Sequence, residues 1–316
     1  GEKKATKRND NIREVLAGAR VGPLKWMDAA TQFDHTWFIG DLNYRVDLQQ
    51  VDGVDRSTEQ HVDEVIEKVE SKQYGALQRA DQLHRELSTK RVLVGFTEGR
   101  LNYAPTFKVE RDPALKYGRK RVPSYCDRIL FRSLPGLLDN QRQEWVQPVI
   151  QAASSDHKPI KALHTVLVEK KRSGAGVGRG DRGSVRVAVT VTNLHGSKLT
   201  AMDPNGKSDP YVRFEARGWT TNTKFKTKVV NKTLDPRWSH KDVPTIEGTC
   251  TNATVLRRSH LFLSVWDHDR SNADDLIGTC VIPLSEPWNT GSARDFSVDI
   301  CNNGTVQGQL GGRIQC

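Results

Sequence analysis

Residues 37–45 read WFIGDLNYR, with Asp41 and Asn43 one residue apart after Gly40 and an apolar lead-in of Trp37, Phe38 and Ile39. A carboxylate and an amide at this spacing can grip a water and a phosphoryl oxygen together, provided they share one face. Alternate positions of an extended chain do share a face. A short apolar run reads as a buried strand, and open α/β sheets place ligands at the carboxyl ends of strands. The same letters also read as a plain turn, because Gly, Asp and Asn are ordinary turn residues. Two further stretches set acids and bases beside apolar runs: PSYCDRILF supplies Asp127 and Arg128, and SSDHKPI supplies Asp156 and His157. Taken singly, these also read as a surface ion pair and a loop histidine.

The elements that must position these groups follow from periodicity. Residues 58–88 carry Val62, Val65, Ile66, Val69, Leu77, Leu83 and Leu87 at helical spacing, which predicts an amphipathic helix, broken near Gly75. RVLVGF, CDRILFR and PIKALHTVLVE read as strands around it, so residues 1–169 are expected to form a layered α/β domain. Residues 170–183 lie in a glycine-rich stretch that can hold neither helix nor strand and reads as a linker. The GRGDRG within it matches GxGxxG by letters, but a strand follows where a phosphate-binding loop needs a helix. That match, and the RGD at Arg179–Asp181, are read as chance. From 184 to 316 the signals are strands separated by turns (VRVAVTV, PYVRFEA, KFKTKVV, LFLSVWD, IGTCVIPL), which predicts an all-β sandwich.

Composition narrows the function classes. The 316 residues suffice for two domains, taking about 150 residues per domain as a prior. No apolar run approaches the ~18 residues of a spanning helix, and GEKKATKRND has no signal-peptide core behind it. Five scattered cysteines (Cys126, Cys250, Cys280, Cys301, Cys316) form no zinc pattern and suit a reducing compartment, so a cytoplasmic location is expected. The sequons at Asn231, Asn252 and Asn303 would matter only in a secreted chain. A net charge of +10 favours a polyanionic partner, either nucleic acid or an anionic membrane surface.

In chain order, GDLNYR, PSYCDRIL and SSDHKPI resemble the signatures of the inositol polyphosphate 5-phosphatase family, and FTEGRLNYAPTFK and YGRKRVPS resemble its substrate-side segments. The resemblance runs from about residue 8 to residue 168. It implies the four-layer DNase I-like endonuclease/exonuclease/phosphatase sandwich and magnesium-dependent hydrolysis of a phosphomonoester by in-line water attack. By this resemblance Asp41 positions and deprotonates the water, and Asn43 hydrogen-bonds the same centre. Asp127 orients His157 against the scissile phosphate, and Asp156 sits near the metal. Lys108, Lys120 and Arg128 neutralise ring phosphates. Phe107 stands where family members often carry tyrosine, and Cys126 is a packed thiol. The family domain also has an earlier half holding further magnesium ligands, an asparagine and a glutamate. The motifs here begin past it, so the expected sandwich is incomplete and the active site lacks its first half.

Beyond the linker, AMDPNGKSDPYVRF and VWDHDRSNADDLIG bring five aspartates to strand ends: Asp203, Asp209, Asp267, Asp269 and Asp275. Five carboxylates on one rim repel unless a hard cation sits among them, and calcium, with six to eight oxygen ligands, is the natural one. With KTLDPRW between them, these motifs resemble the C2 domain, a calcium- and phospholipid-binding sandwich. The loop tips PNGK and RSNA lack large apolar residues, which predicts electrostatic docking. Lys224, Lys226 and Lys228 alternate in KFKTK and would share one strand face, either as a stripe for phosphoinositide head groups or as solvated surface.

The resemblances imply a phosphoinositide 5-phosphatase acting on phosphatidylinositol 4,5-bisphosphate or related lipids. Magnesium serves in catalysis and calcium in the C2 loops, and the protein is peripheral at membranes, with no nucleic-acid partner. The alternative is a non-catalytic, calcium-dependent membrane adaptor carrying a phosphatase remnant. A nuclease of the same fold suits the charge but explains neither PSYCDRIL nor the lipid module.

Overall fold

A computed structural model describes residues 2–168, 185–217, 219, 225–250, 259–270 and 272–316. The expected linker, 170–183, lies outside the described residues. The chain divides into two compact units. One comprises Gly1–Gly18, Phe33–Ser133 and Asp139–Leu167, the other Ala19–Gln32, Leu134–Leu138 and Val168–Cys316. Among the described residues no helix is long and apolar enough to cross a membrane.

In the first unit, helix α1 (Glu2–Gly18) buries Ala5, Asn9, Ile12 and Leu16, spaced as one helical face. Asn9 sits on that face because its amide is satisfied: Nδ2 donates to Glu86 Oε2 at 2.8 Å, and Oδ1 accepts from the Tyr44 hydroxyl at 2.5 Å. Residues 58–88 form three helices rather than one: α2 (Thr58–Glu70), α3 (Tyr74–Arg79) and α4 (Gln82–Ser88). The first break is at Lys72, with φ of 56°. The second is at Asp81, whose extended backbone and carboxylate cap α4 by accepting from the His84 amide at 2.9 Å. Gly75 lies inside α3. A capping box between Ser57 and Gln60 starts α2, and its Val65 joins Leu77, Leu101, Tyr103 and Tyr125 in one apolar cluster.

Strands β1 (His35–Asp41), β2 (Thr97–Glu98) and β3 (Asp127–Ser133) form an antiparallel sheet in the order β1-β3-β2. Strands β4 (Gln141–Pro148) and β5 (Ile160–Val166) pair separately. Because β1 is an edge strand, its WFI run is not buried as expected. Trp37 and Phe38 are half-buried, and Ile39 is 63% exposed. Val92, Leu93, Val94 and Phe96 of RVLVGF are buried but form no strand, since Leu93 and Gly95 have φ of 47° and 84°. Its apolar letters record burial, not conformation.

The second unit carries β6 (Val185–Ser197), β7 (Pro210–Ala216), β8 (Phe225–Lys226), β9 (Ile246–Cys250), β10 (His260–Asp267), β11 (Asp275–Pro283), β12 (Arg294–Asn302) and β13 (Thr305–Gln315). Their order is β8-β7-β10-β11-β12-β13-β6-β9. β11 and β12 share a single register pair, Thr279↔Cys301, the sparsest pairing in the array. Val189, Val212, Phe214, Leu263, Val265 and Leu310 fill the core of this unit, as alternating residues of a sandwich do. Of KFKTKVV, the described residues 225–230 provide only the two-residue β8. The two earlier segments of this unit pack on its strands. Met27 and Leu134 join Phe262 and Val281, Thr31 and Thr279 hydroxyls are 3.0 Å apart, and Arg217 donates to the Gln32 carbonyl at 2.8 Å.

Candidate functional site

β1 and β3 run antiparallel with Asp41, the last residue of β1, opposite Asp127, the first of β3. Asn43 does not continue the strand. Its φ is 59°, and it folds back so that its backbone N–H donates to Asp41 Oδ1 at 2.9 Å and its Nδ2 to Oδ2 at 3.1 Å. Asp41 and Asn43 therefore do meet, through an Asx turn rather than by strand alternation, and the turn itself makes the pair. His157 is brought in by a bridge to Phe107, placing its Nδ1 at 3.2 and 3.1 Å from the two carboxylate oxygens of Asp127. Thr106 Oγ1 donates to Asp127 Oδ2 at 2.7 Å and holds that carboxylate in place. Asp41, Asp127 and His157 each offer a ligand atom within 4.8 Å of the others, the one such group of three or more among the described residues. With Nδ1 engaged, Nε2 is the ring nitrogen left to meet a substrate oxygen.

Arg128 departs from expectation. Its side chain is fully buried, donating to Asp81 Oδ1 at 2.8 Å, to the Tyr125 carbonyl at 3.1 Å and, through Nε, to Glu98 Oε1 at 2.7 Å. Burial opposes its charge, but Asp81 and Glu98 outweigh that, and the net effect raises its pKa. The guanidinium is enclosed by two carboxylates, an arrangement that favours a structural role over the expected contact with a ring phosphate. Lys108 pairs with Asp156 at 2.9 Å, and this hydrogen bond holds the Asp156 carboxyl below its ordinary range. Asp156 thus faces Lys108 and lies outside the Asp41–Asp127–His157 group. Lys120 is exposed. Cys126 is buried, its thiol donating to the Tyr44 carbonyl at 3.6 Å, and burial pushes its pKa up to about 12. Thr106 and Arg45 are site residues that the motifs did not single out. Arg45 stands in GDLNYR and Thr106 in APTFK, so both were within reach of the quoted letters.

In the second unit Asp267, ending β10, pairs in register with Asp275, starting β11. Asp209 approaches the same point, its N–H donating to Asp267 Oδ1 at 2.5 Å and its Oδ1 accepting from the Lys232 N–H at 2.6 Å. Burial raises the pKa of Asp267 and outweighs the Asp209 N–H, which lowers it; the charges of Asp203, Asp269 and Asp209 add to the rise. A bound cation would relieve such like-charge pressure. The five carboxylates are not drawn together as tightly as the group in the first unit. Asp274, absent from the expected set, holds the loop. It accepts from the Tyr211 hydroxyl at 2.6 Å and the Asp269 N–H at 3.2 Å, and lies 3.0 Å from His268 Nδ1. Of the expected lysine stripe, Lys226 lies over the Tyr211 ring at 5.4 Å and Lys228 pairs with Asp242 at 2.9 Å. Lys224 lies outside the described residues.

Residues 1–163, just over half of the chain, match the family model described as Endonuclease/Exonuclease/phosphatase family 2, and residues 187–299 match the C2 domain. The chain belongs to that phosphatase family, and its relatives are inositol polyphosphate 5-phosphatases. It is 24% identical over 344 residues to phosphatidylinositol 3,4,5-trisphosphate 5-phosphatase 2A of Danio rerio, covering 100% of this chain and 24% of the relative. Against phosphatidylinositol 3,4,5-trisphosphate 5-phosphatase 1 of Homo sapiens it is 31% identical over 173 residues, covering 51% of this chain and 14% of the relative. The chain thus spans about a quarter of the length of the curated relatives that match all of it. Among solved structures, the inositol polyphosphate 5-phosphatase domain of spsynaptojanin, in complex with inositol (1,4)-bisphosphate and calcium ion, aligns with TM-score 0.39 and 24% identity, over 50% of this chain and 43% of that one. A C2 domain of plant extended synaptotagmin 1 aligns with TM-score 0.34 and 21% identity, over 40% of this chain and 92% of that one.

Proposed function

We propose that the chain carries a phosphoinositide 5-phosphatase site together with a C2 module that docks it on the membrane bearing its lipid. The observation behind this reading is the meeting of Asp41, Asp127 and His157 at facing strand ends. In the reaction, water attacks phosphorus in line as the P–O bond to inositol breaks, and the departing inositol oxygen takes up a proton from solvent to become a hydroxyl. Asp41 holds the water and takes its proton, and Asn43 orients the Asp41 carboxylate. His157, backed by Asp127, presents Nε2–H to a phosphoryl oxygen where negative charge builds. Lys108 has three N–H donors and uses one on Asp156, so two remain for a ring phosphate, with exposed Lys120 as a second cation.

Magnesium is commonly held by one or two carboxylates, completed by water and substrate phosphate, so Asp127 suits it as a ligand, Asp41 being kept for the water's proton. When bound, it would supply charge neutralisation on the phosphoryl oxygens. Calcium suits the oxygen-only rim of Asp203, Asp209, Asp267, Asp269 and Asp275. There it would turn the rim from negative toward positive and attract anionic head groups. Docking raises the effective concentration of site and lipid without any further contact.

The test is phosphate release from phosphatidylcholine vesicles containing phosphatidylinositol 4,5-bisphosphate or 3,4,5-trisphosphate, with magnesium and calcium present. Release that disappears in His157→Ala supports the reading. Calcium-dependent sedimentation with no release from either lipid would leave a membrane-binding module without this activity.

A further inference from the structure

We infer that Arg45 is a positioning residue of this site: it sets the direction of the Asn43 amide and ties it to His157. The inference rests on the phosphatase reading above for its kinetic consequence, but not for its geometry. Arg45 is half-buried and reaches back over the turn, with Nη2 donating to Asn43 Oδ1 at 2.7 Å and Nε to the Asn43 carbonyl at 3.2 Å. A guanidinium has only donors, so it is the amide oxygen that must face it. The amide nitrogen is thereby turned to Asp41 Oδ2, 3.1 Å away. With the amide flipped, Asn43 would point its oxygen lone pairs at a carboxylate. The Arg45 fork selects the one amide orientation in which Asp41 accepts from Asn43 through both oxygens. It also bridges two oxygens of a residue with φ of 59°, a backbone region that non-glycine residues adopt infrequently.

The same guanidinium lies over the Phe107 ring, 4.3 Å from its centroid, and Phe107 packs against His157 with ring centroids 4.6 Å apart. One cation therefore stands where the GDLN turn and the Asp127–His157 pair meet. Lysine could supply the charge, but it has neither the planar face for stacking nor a rigid fork of two N–H groups. This separates a positioning role from a purely electrostatic one.

The experiment uses the full chain labelled with [15N]asparagine, with the Asn43 side-chain NH2 signals assigned by their loss in Asn43→Ser. Solvent exchange of those signals is compared in wild type, Arg45→Lys and Phe107→Leu, each checked for native circular dichroism. In parallel, kcat and KM are measured on soluble dioctanoyl phosphatidylinositol 3,4,5-trisphosphate with magnesium. Loss of a charge-assisted bond corresponds to about tenfold or more. We therefore expect Arg45→Lys to speed exchange and lower kcat by about that factor, with KM within about twofold. Phe107→Leu, which leaves the fork but removes the ring beneath it, is expected to speed exchange by a smaller factor. Unchanged Asn43 exchange in Arg45→Lys, or in Phe107→Leu should Arg45→Lys not fold, would overturn the inference. So would an unchanged kcat in an active enzyme. Should wild type release no phosphate, the catalytic reading fails, while the exchange measurement still decides the role of Arg45.

Discussion

Replacing Arg128 with methionine removes the one cation from a closed pocket holding two carboxylates. Asp81 and Arg128 side chains are 0% exposed and Glu98 is 8% exposed, so water cannot take the place of the guanidinium. Asp81 Oδ2 already lacks a hydrogen-bond partner, which makes the loss at Asp81 harder to absorb. Removing one partner of a buried pair costs about 3–5 kcal/mol. Burial already pushes the Glu98 carboxyl up, so a proton can neutralise it, and the range for one stranded charge applies. At about 1.4 kcal/mol per tenfold, that is a rise of more than about a hundredfold in the opening equilibrium. Native-state hydrogen exchange of the β3 amides, residues 127–133, reads this directly. Adding Asp81→Asn and Glu98→Gln to the variant should restore most of the protection, because no buried charge then remains. If Arg128→Met instead keeps β3 protection within about 1 kcal/mol and loses only inositol phosphate affinity, the arginine reaches substrate and the buried-triad reasoning is wrong.

Other outcomes follow from the same structure. The Asp156 carboxyl is held low by its hydrogen bond to Lys108, so Lys108→Met should move its NMR titration up toward the ordinary aspartate range. The linkage sign is that of a depressed acid: the stabilisation is present above the unfolded-state pKa and disappears as pH falls through the lower folded value. In Lys108→Met, that acid-side loss of stability should shrink. Cys126, with its thiol pushed up to about 12, should resist iodoacetamide at pH 8 in the native chain, whereas rapid labelling would mean that the thiol is accessible. A Cβ at Gly278 would lie 2.8 Å from the Cys301 carbonyl oxygen, at the single register pair joining β11 to β12. Gly278→Ala should therefore cost about 1–3 kcal/mol, measured by urea unfolding of the sandwich.

The motif letters carried Asp41, Asn43, Asp127 and His157 because chemistry was concentrated in three short stretches, and the structure brings these four together. What the letters did not carry was direction. CDRIL looks the same whether Arg128 points out at a phosphate or in at Asp81 and Glu98, and those partners lie 47 and 30 residues away in sequence. The pairing of Asp41 with Asn43 was anticipated, but by strand alternation, whereas a positive φ at Asn43 makes the turn that joins them. RVLVGF has the apolar letters of a strand, and the left-handed backbone at Leu93 is not written in its residue type. Periodicity located the helical stretch 58–88 and a break near Gly75, close to the one at Lys72, yet missed the second break, because Asp81 can read as a surface acid as readily as an N-cap. The sandwich strands were more legible, since alternation with turns is a pattern spread over many residues. The two-residue β8 shows the limit, because Thr227–Val230 continue the alternation of KFKTKVV without strand.

The most direct measurement of the central claim is phosphate release from vesicles bearing phosphatidylinositol 3,4,5-trisphosphate, with magnesium and calcium present, comparing the protein with Asp41→Ala. Asp41 accepts both Asn43 hydrogen bonds and faces Asp127, so its carboxylate can be removed while the buried pocket around Arg128 is left intact. The proposed function predicts that the residues present suffice without the family's earlier half: phosphate release by the protein, reduced by at least about a hundredfold in the variant, with vesicle sedimentation unchanged. Equal release by the two proteins would contradict the assignment of Asp41 and of the site built around it.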